Sequence, residues 1–139
     1  MNKYLSEQEI GNEMYNKACK FLIKRFKNNE GGVGVIRVEN GKYYTSVWNE
    51  TNNSAVDLCA ETGAILQAHK YNKKVTHSLC VVKEKDLNDI TILTPCGVCQ
   101  ERLYFWGGDV KCAISNKENK IIFKKLSEIQ PYYWITEKR

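Results

Sequence analysis

The residues most able to do chemistry in this chain are cysteines and a glutamate in two short stretches, Leu58-Cys59-Ala60-Glu61 and Thr94-Pro95-Cys96-Gly97-Val98-Cys99-Gln100. Cys96 and Cys99 are three apart, so on a helix or tight turn they share a face. Cys59 can close a triangle from the other segment. Three thiolates suit Zn²⁺, and a catalytic zinc keeps three protein ligands and leaves a fourth position for water. Glu61 then stands beside the site as a proton carrier: a carboxylate next to an activated water can take its proton and hand it to a ring nitrogen and then to a departing amine. That chemistry is hydrolytic deamination of an aminopyrimidine or a similar ring.

Two plainer readings compete. A lone C-x-x-C can be a redox pair, or half of a structural zinc with four cysteine ligands. The fourth thiolate would have to come from Cys19, Cys80 or Cys112, each in the middle of a predicted element, where a core thiol is the commoner occupant. His69 and His77 are read as surface or core histidines rather than ligands.

The elements that must hold these groups are legible along the chain. Ser6-Glu7-Gln8-Glu9 has the form of a capping box, and Ile10, Met14, Ala18, Phe21, Leu22 and Phe26 recur behind it at helical spacing. The β-branched run from Val33 to Glu39 predicts a strand, Asn40-Gly41 a two-residue hairpin turn, and Tyr43 to Trp48 the returning strand. A helix is predicted from about Asp57, as cap, to Tyr71, with Leu58, Ile65, Leu66 and Ala68 inward and Cys59 and Glu61 in its first turn. Strands follow at Ser78–Val82 and Ile90–Leu93, separated by a charged loop over 83–89. A helix then runs from about Cys96 to Trp106 and ends at Gly107-Gly108. Strands at Val110–Ser115 and Lys120–Phe123, a short helix near Ser127–Ile129 and the aromatic tail Tyr132-Tyr133-Trp134 complete the chain. Strands alternating with helices imply an α/β sandwich on a mixed sheet.

Both cysteine segments open helices, whose N-terminal dipoles and free N–H groups stabilise thiolates. Three thiolates on Zn²⁺ leave one net negative charge, so those dipoles or a nearby cation must offset it. Arg102, one turn beyond Cys99, is the nearest basic candidate.

A length of 139 residues predicts one domain over 1–139, large enough to bury a core without disulfides. No apolar run approaches the roughly 18 residues of a membrane span. The polar start Met1-Asn2-Lys3-Tyr4-Leu5-Ser6-Glu7 lacks the apolar core of a signal peptide, which points to the cytoplasm. The net charge of +5 is dispersed, so nucleic-acid binding is not expected.

With these residues in hand, the chain resembles the cytidine deaminase family, including its blasticidin S deaminase relatives. Cys59-Ala60-Glu61 with Pro95-Cys96-Gly97-Val98-Cys99 fits the three-cysteine variant of the zinc deaminase signature. The resemblance implies a helix-sheet-helix sandwich in three layers on a mixed five-stranded sheet. It implies zinc on Cys59, Cys96 and Cys99, with Glu61 as the proton shuttle. It further implies base contacts from the Ala60 backbone and the Thr94-Pro95 loop, a small nucleoside substrate, and a homotetramer or homodimer. Glu50 falls where the family's Asn-x-Glu motif places a ribose-binding carboxylate, but Trp48 stands in the asparagine's place. The family's Phe-Pro-Val-Gly stretch appears as Gly31-Gly32-Val33-Gly34, and the arginine that usually follows the second P-C-x-x-C cysteine is Gln100. Trp134 belongs to a tail whose aromatics, in such enzymes, approach a neighbouring subunit's site. The expected reaction is deamination of cytidine or deoxycytidine, with blasticidin S or a related analogue as the alternative substrate. A nucleic-acid deaminase and a structural-zinc module stand behind these.

Overall fold

A computed structural model of the chain describes residues 4–84 and 89–135. The readings made on residues 1–3 and on 85–88 of the charged loop lie outside the described residues.

Helix α1 (Glu7–Phe26) begins at Ser6, whose hydroxyl accepts from the Glu9 N–H at 3.2 Å while the Glu9 carboxylate accepts from the Ser6 N–H. Its buried stripe is Ile10, Met14, Ala18, Leu22 and Phe26, a strict four-residue period. Phe21 lies off that stripe and is 43% exposed, so it is not the inward residue the sequence predicts.

Strand β1 (Gly31–Val38) is buried along its whole length and pairs on both edges, with β2 (Tyr43–Val47) and β3 (Val75–Lys83). Being covered on both faces, it reads as a continuous apolar run rather than an alternating one. The turn between β1 and β2 differs from expectation. The Gly41 N–H donates to Val38 O and the Val38 N–H to Lys42 O, which encloses three residues instead of two. A two-residue type I′ turn needs positive φ at both central positions. Only Gly41 has it, at 86°; Asn40 does not, and the chain takes the three-residue loop in which a left-handed glycine follows a turn.

Helix α2 (Thr62–Lys70) starts four residues later than the sequence predicts, with Glu61 rather than Asp57 at the cap position. Asp57 is occupied elsewhere: its carboxylate accepts from both the N–H and the hydroxyl of Thr51. Leu58 and Leu66 are correspondingly exposed rather than inward, whereas Ala64, Ile65 and Ala68 are buried. Beyond β3 come β4 (Ile90–Leu93), α3 (Gly97–Leu103), β5 (Lys111–Ala113), β6 (Phe123–Lys125) and α4 (Leu126–Ile129). Gly107, at φ 99°, ends the single 3₁₀ turn that follows α3.

The sheet runs β2-β1-β3-β5-β6, with β4 also on β3. Because β1 occupies one edge of β3 over its whole length, β4 and β5 share the other, β5 at His77 and Ser78 and β4 from Cys80 to Lys83. Six strands therefore fill five positions, which corrects the expected count. Among the described residues only β3–β5 is parallel, so the sheet is mixed. α1 covers one face, packing on Val33, Val35, Leu79, Val81, Ile92 and Ala113. α2, Leu103 of α3 and Leu126 of α4 cover the other through Ile36, Val38, Val75, Val110 and Cys112. The result is the expected three-layer helix-sheet-helix sandwich.

On the α1 face His77 sits edge-on to the Phe123 ring at 5.1 Å. Burial, then the nearby Arg37 and Lys111 charges, hold its pKa down at about 4. An unfolded histidine binds its proton near pH 6.5, so between those values the unfolded chain carries more protons and falling pH favours unfolding. Stability from this group is complete above about pH 6.5 and lost as the pH drops to about 4. The expected loss is on the order of 3 kcal/mol, read by urea unfolding at a series of pH values and flattened in His77→Gln.

Candidate active site

The two cysteine segments meet at the end of β1 and β3 where β2 hands the chain to α2. Leu58 is held in a bridge with Asn49, with N–H to O distances of 3.0 and 3.1 Å in the two directions, and this fixes the approach of Cys59. Cys59 precedes α2, its carbonyl accepting from the Thr62 N–H at 3.0 Å, and Glu61 takes the position that caps the helix. On the other side, Pro95 ends the run from β4, and Cys96 occupies the N-cap of α3 with Cys99 inside its first turn.

The sulfur atoms of Cys59, Cys96 and Cys99 lie within 4.8 Å of one another, and Cys59 and Cys96 are 3.4 Å apart. Tetrahedral bonds of about 2.3 Å to zinc put sulfurs about 3.8 Å apart, so the three are spaced for one ion. Their acid–base balance fits the same occupant. Burial raises the pKa of Cys59 and of Cys99, and the neighbouring thiols and Glu61 add to it at Cys99. Cys96 is lowered: burial opposes ionisation, but the backbone N–H of Cys99, the Cys59 thiol and the Val98 N–H outweigh it. Thiolates crowded together next to a carboxylate repel one another, and a divalent cation relieves that repulsion. Among the described residues no fourth ligand joins the group. Cys112 is deep in the core under α3, and Cys19 belongs to α1.

Glu61 is 4% exposed, and its Oε2 accepts from Cys99 Sγ at 3.4 Å. The surrounding backbone is tightly seated. The Ser46 hydroxyl of β2 donates to Ala60 O at 2.5 Å and accepts from the Ala64 N–H at 2.9 Å, tying the segment before α2 to its first turn. Beneath it lies Gly34 of β1. A Cβ there would stand 2.7 Å from Glu61 Cα and 2.8 Å from Ala60 O, both backbone atoms that cannot swing aside. Gly34→Ala is therefore expected to cost about 1–3 kcal/mol of stability. A shift near 1 Å at Glu61 lowers kcat by about 10²-fold, checked by steady-state kinetics beside thermal unfolding.

Above these groups opens a cavity of about 350 Å³, lined by Gly32, Trp48, Cys59, Ala60, Glu61, Cys80, Val82, Leu93, Thr94 and Cys96, with Glu30, Gly31, Lys83 and Glu84 completing the lining. Of the substrate contacts expected from the sequence, Trp48, Ala60 and Thr94 line it. Thr94 is fixed by reciprocal bonds with Ser115, its N–H donating to the Ser115 hydroxyl and its own oxygen accepting from the Ser115 N–H. Pro95 is buried behind the cavity, its carbonyl accepting from the Gln100 side chain at 2.8 Å. Arg102 donates to the Thr62 hydroxyl at 2.7 Å, one residue beyond Glu61. Glu50 does not line this cavity. It lies in a neighbouring groove with Arg25 and Asn29, and Trp48 borders both. Trp134 is also apart: its indole N–H and the Tyr133 hydroxyl both donate to Glu101 on the outer side of α3. Sequence reasoning missed Ser46, Val82 and Leu93, and it named Gly34 and Cys80 only in other roles. Only Gly34, in a strand otherwise rich in β-branched residues, carried a local signal of close backbone approach.

Comparison with known proteins agrees with this geometry. The family described as the cytidine and deoxycytidylate deaminase zinc-binding region matches residues 9–115. The crystal structure of the cytidine deaminase from Bacillus anthracis is 50% identical, superposes with a TM-score of 0.87, and is matched over 90% of this chain and 89% of that one. The cytidine deaminase from Mycobacterium tuberculosis is 16% identical with a TM-score of 0.66, over 88% of this chain and 98% of that one. The enzyme from Burkholderia pseudomallei is 14% identical with a TM-score of 0.65, over 94% and 100%. The latter two share the fold. No curated protein sequence gives a significant match.

Proposed function

The chain belongs to the cytidine and deoxycytidylate deaminase zinc-binding family, and on that premise we propose that it hydrolyses a cytosine nucleoside to the uracil nucleoside with release of ammonia. The observation that carries this reading is the convergence of three thiols and a buried glutamate at the floor of one cavity. Cys59, Cys96 and Cys99 would hold Zn²⁺, which when bound would supply Lewis-acid activation of water. Glu61 accepts the proton that this water gives up. Its carboxylate passes that proton to the ring nitrogen beside the amine-bearing carbon, then takes the second proton from the hydroxyl that has added to this carbon and gives it to the amine as the C–N bond breaks. Ala60 and Thr94 line the cavity where the base must lie, and Trp48 flanks it. Thr62 and Arg102 brace the backbone just after Glu61.

The rim argues against polymeric substrates. It presents Glu30 and Glu84, and the Lys83 ammonium donates to the Lys27 carbonyl at the end of α1; a groove for nucleic acid calls for basic and aromatic platforms instead. A structural-zinc module is disfavoured because the sulfur group stops at three.

We further place the enzyme in the cytoplasm, in pyrimidine salvage, with residues 1–139 acting as one domain. All six cysteines are free thiols, as suits a reducing compartment, and no helix among the described residues is long and apolar enough to cross a membrane. A homotetramer is supported by exposed Leu66, Val98, Phe105 and Trp134, apolar side chains that α2, α3 and the segments after them leave uncovered.

The test is a deamination panel of cytidine, deoxycytidine and blasticidin S, followed by ultraviolet absorbance and by ammonia release. Turnover of the first two is the expected result. Turnover of blasticidin S alone transfers the assignment to that analogue, and no ammonia from any of them removes it.

A further inference from the structure

The cavity is wide on the β1 side because residue 32 has no side chain. A Cβ on Gly32 would lie 3.5 Å from both Ala60 Cβ and Val82 Cγ1 and 3.6 Å from Trp48 Cβ. These are ordinary contact distances, unlike those at Gly34, and Gly32 has no positive φ to demand glycine. Packing therefore does not require glycine here, while an interior glycine weakens a strand. All three neighbours line the cavity, so atoms beyond a Cβ would grow into it.

The facing wall is set by Trp48, locked to the same position through its N–H bond to Gly32 O at 2.9 Å. It borders both the cavity and the groove that holds Glu50, whose carboxylate has no place in the cavity lining. With Val82 and Leu93 the slot beside Gly32 is apolar. Cys59, Cys96 and Glu61 fix the end of the cavity where the ring amine must react. Gly32 adjoins Ala60 on this side, and Trp48 stands where the cavity meets the neighbouring groove, so a substituent leaving the ring toward that groove passes through this slot.

We propose that Gly32 and Trp48 determine substrate selectivity, opening an apolar slot for cytosine substituents bulkier and less hydroxylated than ribose. This rests on the nucleoside deaminase reading above and adds to it a class of substrate. Flat aromatic and aliphatic walls reward area rather than hydroxyl groups, and a hydrophobic pocket rejects an altered ligand mainly by size.

The probe is cytidine whose 2′ and 3′ hydroxyls are bridged by an isopropylidene group, enlarged and apolar at once. Wild-type kcat/KM for it is expected within about tenfold of that for cytidine. Gly32→Val is expected to lower the ratio of bridged to plain substrate by about 50-fold, with Gly32→Ala in between, since added methyl groups in such a pocket shift selectivity about 10–200-fold. Zinc content and thermal unfolding of each variant identify any that fail to fold, and the alanine variant then carries the test. Rejection of the bridged substrate by more than about 100-fold in wild type, or a ratio unchanged across the variants, overturns the proposal. Cytidine turnover reads the parent function separately. Should cytidine not turn over, equilibrium dialysis of uridine against its isopropylidene derivative gives the same ratio without chemistry, and binding of neither overturns the slot as well.

Discussion

Glu61→Gln is expected to retain zinc and fold and to lose turnover by about 10²–10⁴-fold or more, the range for removing a positioned proton carrier. Glutamine fills the same volume at a position that is 4% exposed, and it still offers an oxygen toward Cys99. What it cannot do is carry protons in turn from the attacking water to the ring nitrogen and from the added hydroxyl to the amine. The loss should therefore fall on kcat, with KM changed little, in steady-state assays of cytidine. Zinc analysis and thermal unfolding of the same preparation should match wild type. Near-normal turnover would remove Glu61 from the reaction.

Cys96→Ala should act through the metal. The thiol is exposed, and its neighbours are the Cys59 thiol and the N–H groups of Val98 and Cys99 that favour its thiolate, so its removal takes little packing from the helix. Wild type is expected to carry about one zinc per chain and the variant almost none. A ligand held at about 1,000 times its Kd stabilises by about 4 kcal/mol, which for a chain of this size corresponds to about 10 °C in Tm. The variant should melt lower than wild type by that order, and a chelator should bring the two curves together. A gap that persists in chelator would mean that Cys96 supports the fold independently of the ion.

The chemistry of this protein was legible because it is local in sequence. Cys59 with Glu61, and Cys96 with Cys99, sit two and three residues apart, and their residue types have few other joint uses. The capping box of α1 and the order of strands and helices were legible for the same reason. Features decided by tertiary neighbours were not. Asp57 has the residue type of a helix cap, yet Thr51 claims its carboxylate, and α2 begins at Thr62. Asn40-Gly41 marks the hairpin but not its length, which depends on Asn40 avoiding the left-handed region. Leu66 continues an apolar pattern on α2 while facing outward. Glu50 lies nine residues before Cys59, as the resemblance requires, but which groove its carboxylate enters depends on Trp48 between the two. The seat of Glu61 on Gly34 and Ser46 joins residues 14 or more apart, and apart from the glycine in a β-branched strand no short pattern announces it.

The central place of β3 bears on how the chain is made. β1 is buried throughout, and its second edge is filled only by residues 75–83. A ribosome delivering residues one at a time exposes α1, β1 and β2 well before that partner exists. During that interval β1 offers an open, apolar strand edge of the kind that recruits other chains. Fragments ending before Val75 should precipitate, and chaperone supply or slower synthesis should govern yield more than the stability of the finished protein does.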